Sequence, residues 1–133
     1  MTFIVTGQAG DAMSSPAGIG IRNADGTISF IVIADFGWIK NGIGEVLVRD
    51  FRIEKTVRAL ILNSHTPRGY HTLYGLRAQK AETEIHFMRY CFFLPKCYIL
   101  YTYVWKARQW YFRRLDGSGE IPLTQAISDG IED

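Results

Sequence analysis

Apolar residues alternate with polar or small residues on both sides of the dipeptide Asp25-Gly26, and this pattern constrains the fold more than any other feature of the sequence. Period-two alternation is typical of strands with one buried face. Asp-Gly between two such strands favours a two-residue type I′ turn, because both turn positions need a positive φ. The sequence therefore predicts a β-hairpin whose register places Ile21 opposite Phe30.

A second turn signal, Asn41-Gly42, follows a short aromatic segment. It stands between residues 36–39 and residues 44–48, and both of these segments are rich in residues that favour strands. We therefore expect a second hairpin that continues from the first.

Two aromatic segments near the C-terminus are joined by a turn at residues 106–109. Pairing across this turn places Trp105 opposite Trp110 and Tyr103 opposite Phe112 on one face of a further hairpin. Residues 122–128 begin with a proline and are followed closely by a glycine, a combination that is typical of a short helix.

Two segments fit more than one secondary structure. Residues 52–63 match the helical period and the strand period equally well. Residues 78–93 have apolar side chains at helical spacing, namely Ala81, Ile85, Met88 and Phe92. Pairing this segment with residues 70–76 across a four-residue loop instead sorts the side chains into an apolar and a polar face. That pairing favours strands and places His71 opposite His86.

The chain of 133 residues has the length of one globular domain, spanning residues 1–133. The turn signals predict a mainly β fold, an antiparallel meander of about eight strands curled into a barrel or sandwich, with a short C-terminal helix. The alternative is an α+β fold in which residues 52–63, residues 78–93 or both are helices packed on an antiparallel sheet. Residues 1–17 are expected to be partly flexible, and residues 116–133 form an acidic segment.

Several classes of protein do not fit this sequence. Its longest apolar stretches are far shorter than the ~20 residues that a membrane-spanning helix needs. The first residues lack the apolar run of a signal peptide, so we expect a cytoplasmic protein. Cys91 and Cys97 do not have zinc-finger spacing, and the glycine-rich stretches lack the nucleotide-binding fingerprints. The sequence predicts no cofactor and no membrane partner.

Charge is distributed unevenly along the chain. The formal net charge is +2, but residues 65–115 carry nine basic residues against two acidic ones, together with 13 of the 18 aromatic residues. Basic and aromatic side chains together are typical of surfaces that bind single-stranded nucleic acids. Under this alternative hypothesis the binding residues include Lys106, Arg108, Arg113 and Arg114. The competing interpretation is that the acidic C-terminal segment folds back over the basic block.

The C-terminal hairpin is apolar on both faces, which is typical of a central strand pair or of a surface that binds a ligand or subunit. The leading functional prediction is therefore a small non-enzymatic binding module. Its expected partner is a second copy of the chain, another protein or a small apolar ligand. The predicted contact residues are Tyr101, Tyr103, Trp105, Trp110 and Phe112.

A third hypothesis is a small metal-assisted or acid-base enzyme. If the strand pairing described above holds, His71 and His86 face one another with Glu84 on the diagonal, and this set could hold a borderline metal such as Zn²⁺. His65 is a candidate third nitrogen ligand or catalytic group. Asp35 ends an apolar strand beside bulky rings, a setting that can raise a carboxyl pKa for acid-base work.

Overall fold

A computed structural model of the chain describes residues 15–63, 66–67, 69–73, 77–92, 99, 101–114 and 119–130. Within these residues, one sheet contains the strands β1 (Ala17–Arg22), β2 (Ile28–Ile33), β3 (Gln79–Ala81), β4 (Tyr101–Lys106), β5 (Gln109–Arg114) and β6 (Ile121–Pro122). The helices are α1 (Ile43–Asp50), α2 (Glu54–Leu62), α3 (Glu84–Phe92) and α4 (Leu123–Ser128).

The strand order in the sheet is β3-β2-β1-β4-β5-β6. β1 and β4 run parallel at the centre, and the other neighbouring strands run antiparallel. The sheet is therefore mixed and open, and the fold is α+β, the alternative that the sequence left open. The prediction of an eight-stranded meander closed into a barrel or sandwich is wrong.

Helices cover both faces of the sheet. On the first face, Ile19, Ile31 and Tyr103 form a core with α1, α2 and α4. On the second face, Phe30 and Val32 pack against Phe87 and Cys91 of α3. β2 is buried along its whole length because it is covered on both faces.

The β1–β2 hairpin exists, but its predicted register is wrong by one residue. Ile21 lies opposite Ser29, not opposite Phe30. Gly26 has a φ of +88° and Asp25 does not have a positive φ, so the turn is not type I′. The backbone hydrogen bonds from Asn23 and Gly26 instead close a three-residue loop with its glycine in the left-handed region. Since side chains alternate with period two, this shift changes which residues face each other.

The second predicted hairpin is absent, because Asn41-Gly42 starts α1 instead of turning between strands. Asn41 has a φ of +58°, and its backbone N–H donates to Glu45 Oε1 at 2.9 Å, which fixes the entry to the helix. The buried residues that follow have helical spacing: Ile43, Val46 and Leu47.

Residues 52–63, which fit both periods, form α2. For residues 78–93, the favoured strand interpretation is wrong beyond residue 81: β3 is only three residues long and α3 follows it. The predicted strand pairs between residues 70–73 and residues 84–87 are therefore absent, and residues 74–76 lie outside the described residues. The buried residues of α3 are Phe87 and Cys91, whereas Ile85 is 58% exposed.

The C-terminal predictions are confirmed. Trp105 pairs with Trp110, and Tyr103 pairs with Phe112. The short helix α4 begins directly after Pro122. In the described part of the chain, no helix has the length and apolar character needed to cross a membrane.

Candidate functional site

The five predicted contact residues of the β4–β5 hairpin lie in the core. Their exposed fractions are between 0% and 6%. Two of them bind backbone carbonyls of the covering segments: Tyr103 Oη donates to Gly37 O at 2.6 Å, and Trp110 Nε1 donates to Phe51 O at 2.8 Å. In this conformation the rings of Tyr101, Tyr103, Trp105, Trp110 and Phe112 stabilise the packing of helices on the sheet.

The structure distributes the predicted nucleic-acid residues over different surfaces. Arg108 lies in the exposed β4–β5 turn, where its φ is +63°. Arg113 and Arg114 are neighbours in β5 and therefore point to opposite faces of the sheet. Arg114 lies 5.9 Å from the centroid of the Tyr101 ring on the first face.

Lys106 is neutralised by two carboxylates. Its Nζ lies 2.9 Å from Glu84 Oε2 and 2.8 Å from Glu120 Oε2, and the three side chains are only 16%, 21% and 22% exposed. It also lies 5.0 Å from the centroid of the Tyr111 ring. Because Glu120 comes from the acidic C-terminal segment, this contact supports the interpretation that the segment folds back over the basic block.

The pKa values of Lys106 and Glu120 are shifted. Burial lowers the pKa of Lys106, but hydrogen bonds and charges from Glu120 and Glu84 raise it more, so the pKa lies above its ordinary value. Burial raises the pKa of Glu120, but the hydrogen bond from Lys106 and the charges of Lys106 and Arg113 lower it below its ordinary value. Lys106 and Glu120 therefore both stay charged near neutral pH.

The predicted metal ligands His71, His86 and Glu84 are not arranged on paired strands, as the metal-site hypothesis required. His86 lies on α3 and is exposed, and His71 lies in an irregular segment beside the end of β2. Glu84 binds Lys106. His65 lies outside the described residues. Among the residues that the structure describes, no group of three or more His, Cys, Asp or Glu side chains is placed to hold a metal ion.

Cys91 is buried against the second face of the sheet, and burial raises the pKa of its thiol far above the ordinary value. A thiol that stays protonated is a poor nucleophile. Cys97 lies outside the described residues.

Asp35 lies at the end of β2, where residues 36–39 form a tight loop before α1. The loop caps the helix, because backbone N–H groups of its first turn donate to loop carbonyls at 2.8–3.1 Å: Ile43 to Phe36, Gly44 to Trp38 and Glu45 to Ile39. Gly37 N–H donates to Ser15 O at 2.7 Å, and a Cβ at this position would overlap that oxygen. Only glycine therefore fits at residue 37.

Phe36 has a φ of +61°. The left-handed region is unusual for a bulky side chain and costs about 1–2 kcal/mol. The hydrogen bonds of the loop on both sides of Phe36 hold this conformation in place. Strained residues of this kind are concentrated at binding sites and active sites.

The side chains of Phe36, Trp38 and Tyr70 form a half-buried group that we call the aromatic cluster. The Phe36 and Trp38 ring centroids are 5.8 Å apart with an interplanar angle of 77°, and those of Phe36 and Tyr70 are 5.9 Å apart at 67°. The backbone N–H of Ala34 donates to His71 O at 2.8 Å, which brings the Tyr70 segment alongside Asp35.

Asp35 is half-buried, and among the described residues its carboxylate has no ion-pair or hydrogen-bond partner. The two candidates Asp35 and His71 thus come to the same end of the sheet. The contribution of Tyr70 was not predicted. Two helices, α1 and α2, separate it from Phe36 in the sequence, and no local pattern indicates that the two rings meet.

The protein is thus an α+β domain with a mixed, open sheet covered by helices on both faces and an aromatic cluster at one end of its second strand. Comparison of the chain with protein-family models, with curated proteins and with solved structures finds no match.

Proposed function

We propose that this protein is a small non-enzymatic binding module, and that its ligand site is the aromatic cluster at the end of β2. The observation that carries the proposal is the left-handed backbone of Phe36. Glycine and asparagine adopt this conformation at little cost, whereas a bulky ring does so only under strain, so a phenylalanine held there supports a role for its side chain.

The surroundings of Phe36 support a ring that is accessible to a ligand, in contrast to a ring that belongs to the hydrophobic core. The side chains of Phe36, Trp38 and Tyr70 are all half-buried, in contrast to the aromatic residues of β4 and β5 on the first face. Partly exposed aromatic residues on a rigid support are typical of binding sites, because they offer a large contact area and lose little conformational entropy. Here the rigid support is the loop that caps α1.

The chemistry of the cluster favours recognition over catalysis. Phenylalanine and tryptophan bind through dispersion and through the negative potential of their ring faces, and they do not transfer protons near neutral pH. Asp35 adds one charge beside them. This set supports binding of a compact ligand more directly than it supports a reaction.

The experiment uses the three tryptophan indole N–H resonances of the ¹⁵N-labelled protein, assigned with single Trp→Phe variants. A panel of small aromatic, aliphatic, cationic and anionic compounds and one single-stranded oligonucleotide is titrated. We expect panel members to shift the Trp38 resonance while those of Trp105 and Trp110 stay in place. A panel that shifts only Trp105 and Trp110 would assign binding to the β4–β5 hairpin and overturn the proposal.

Two other outcomes also decide against the aromatic cluster. If the oligonucleotide alone binds, with an affinity that falls steeply as salt rises, the basic residues carry a nucleic-acid function. If no compound shifts Trp38 and sedimentation shows a dimer, the chain is a self-associating module.

A further inference from the structure

We infer that the ligand of the aromatic cluster carries a compact organic cation of the alkylated ammonium type. This inference rests on the proposed function and names the chemistry of its ligand. Two features of the site support it: the mutual orientation of the three rings and the charge of Asp35.

The rings are arranged edge to face. The planes of Trp38 and Tyr70 are each steeply inclined to the plane of Phe36, at 77° and 67°. A flat ligand stacks on one ring face at a time. A roughly spherical ammonium group can meet several ring faces that point in different directions, and it is attracted by the negative potential of each.

Asp35 gives the site a negative charge. Asp35 is half-buried as a residue and directly precedes Phe36, and among the described residues its carboxylate makes no ion pair. A partly desolvated carboxylate without a partner attracts a cation and repels phosphate groups. The site therefore disfavours nucleic acids and other polyanions.

The positive charge near Tyr70 does not oppose this. Arg49 acts on Tyr70 electrostatically, but its guanidinium makes two hydrogen bonds to Asp50, at 3.1 Å and 2.8 Å. The Arg49–Asp50 pair is thus close to neutral as a unit, and in the described part of the chain no ion pair compensates the charge of Asp35.

The test measures binding of tetramethylammonium and of choline by the shift of the Trp38 indole resonance. The matched control ligand is 3,3-dimethylbutan-1-ol, a neutral molecule with the shape of choline. Each ring that meets the cation contributes about a two- to fivefold gain in affinity. We therefore expect choline to bind about tenfold more tightly than the neutral alcohol.

Two variants locate the interaction. Asp35→Asn keeps the side-chain shape and removes the charge, and we expect about a two- to fivefold loss of choline affinity. Trp38→Leu removes one ring and should lower the preference for choline by about two- to fivefold, as monitored by the Tyr70 ring resonances. Glu82→Gln is the control, because Glu82 is an exposed carboxylate after β3, which pairs with the opposite end of β2. It should leave binding unchanged, and urea unfolding checks that each variant is folded.

Failure of this inference is distinguishable from failure of the proposed function. Equal affinity for choline and the neutral alcohol, or unchanged choline affinity in Asp35→Asn, would show that the ligand is not recognised by its positive charge. The proposed binding site would be unaffected by that result. A Trp38 resonance that responds to no compound overturns both. Cosedimentation with phosphatidylcholine vesicles would place the cation on a lipid headgroup, and binding of free choline without vesicle binding would assign a soluble cation.

Discussion

Gly18 tests how α3 packs on the sheet. Gly18 lies in β1 on the second face, and a Cβ at this position would overlap Cys91 Sγ and lie 3.1 Å from Phe87 Cζ. Overpacking of this kind costs about 1–3 kcal/mol. Alanine in a strand regains about 0.5–1 kcal/mol over glycine. We therefore expect Gly18→Ala to lower the free energy of unfolding by about 1–2 kcal/mol.

Removal of the sulfur should relieve the overlap. Cys91→Ala alone deletes one buried atom and should cost about 0.5–1.5 kcal/mol. In the double variant the new methyl group occupies the space that the sulfur leaves. The double variant should then be about as stable as Cys91→Ala, which corresponds to a coupling energy of about 1–2 kcal/mol.

Urea unfolding followed by circular dichroism measures the free energy of unfolding of the parent protein, the two single variants and the double variant. The comparison requires that the slope of this free energy against urea concentration is the same in all four proteins. Gly20→Ala is the matched control, because its Cβ would meet Ile28 Cγ2 at 2.7 Å and not the cysteine. It should destabilise the protein without rescue by Cys91→Ala. If the effects of Gly18→Ala and Cys91→Ala simply add, α3 does not pack on Gly18 and the reasoning is refuted.

Three further variants test other contacts. Lys106→Met should lower stability by about 1–2 kcal/mol near pH 7. The folded-state pKa of Glu120 is lowered, so its contribution to stability is present above its unfolded-state pKa and is lost as the pH falls. In urea titrations, the difference in free energy of unfolding between Lys106→Met and the parent protein should therefore shrink below about pH 4. Tyr103→Phe removes the buried hydrogen bond to Gly37 O, and should cost about 1–2 kcal/mol and speed amide exchange in the loop after β2. Phe36→Gly should change stability by less than about 1 kcal/mol, because relief of backbone strain offsets lost ring contacts, yet it should abolish ligand shifts. Unchanged stability of the first two variants, or a large loss for the third, would contradict these contacts.

The sequence predicted those parts of the fold that depend on neighbouring residues. The β4–β5 hairpin has its predicted pairs because the turn is tight and the bulky rings alternate. The β1–β2 hairpin also formed, but its register depends on the φ of Asp25, and the Asp-Gly dipeptide fits a two-residue and a three-residue loop alike.

The helices were harder to predict because their buried faces are decided by tertiary packing. In α3, the residues that pack on the sheet are Phe87 and Cys91, four apart, and they fit only because glycine stands opposite them in β1. The sequence pattern pointed to a different apolar face that includes Ile85, which is exposed. A close approach between a helix and a glycine 69–73 residues earlier leaves no local signal.

The candidate site was predicted in part. Asp35 and the rings that follow it were recognisable as a carboxylate beside bulky aromatic residues. The left-handed backbone of Phe36 and the contact of its ring with Tyr70 depend on how the loop caps α1 and on the segment beside β2. Neither follows from composition or periodicity.

Nuclear Overhauser contacts between the methyl protons of tetramethylammonium and the protein test the binding site most directly. We expect contacts to the ring protons of Phe36, Trp38 and Tyr70, and weaker ones in Asp35→Asn at the same concentrations. Contacts to other residues, or none at concentrations where choline shifts the Trp38 resonance, would contradict the account.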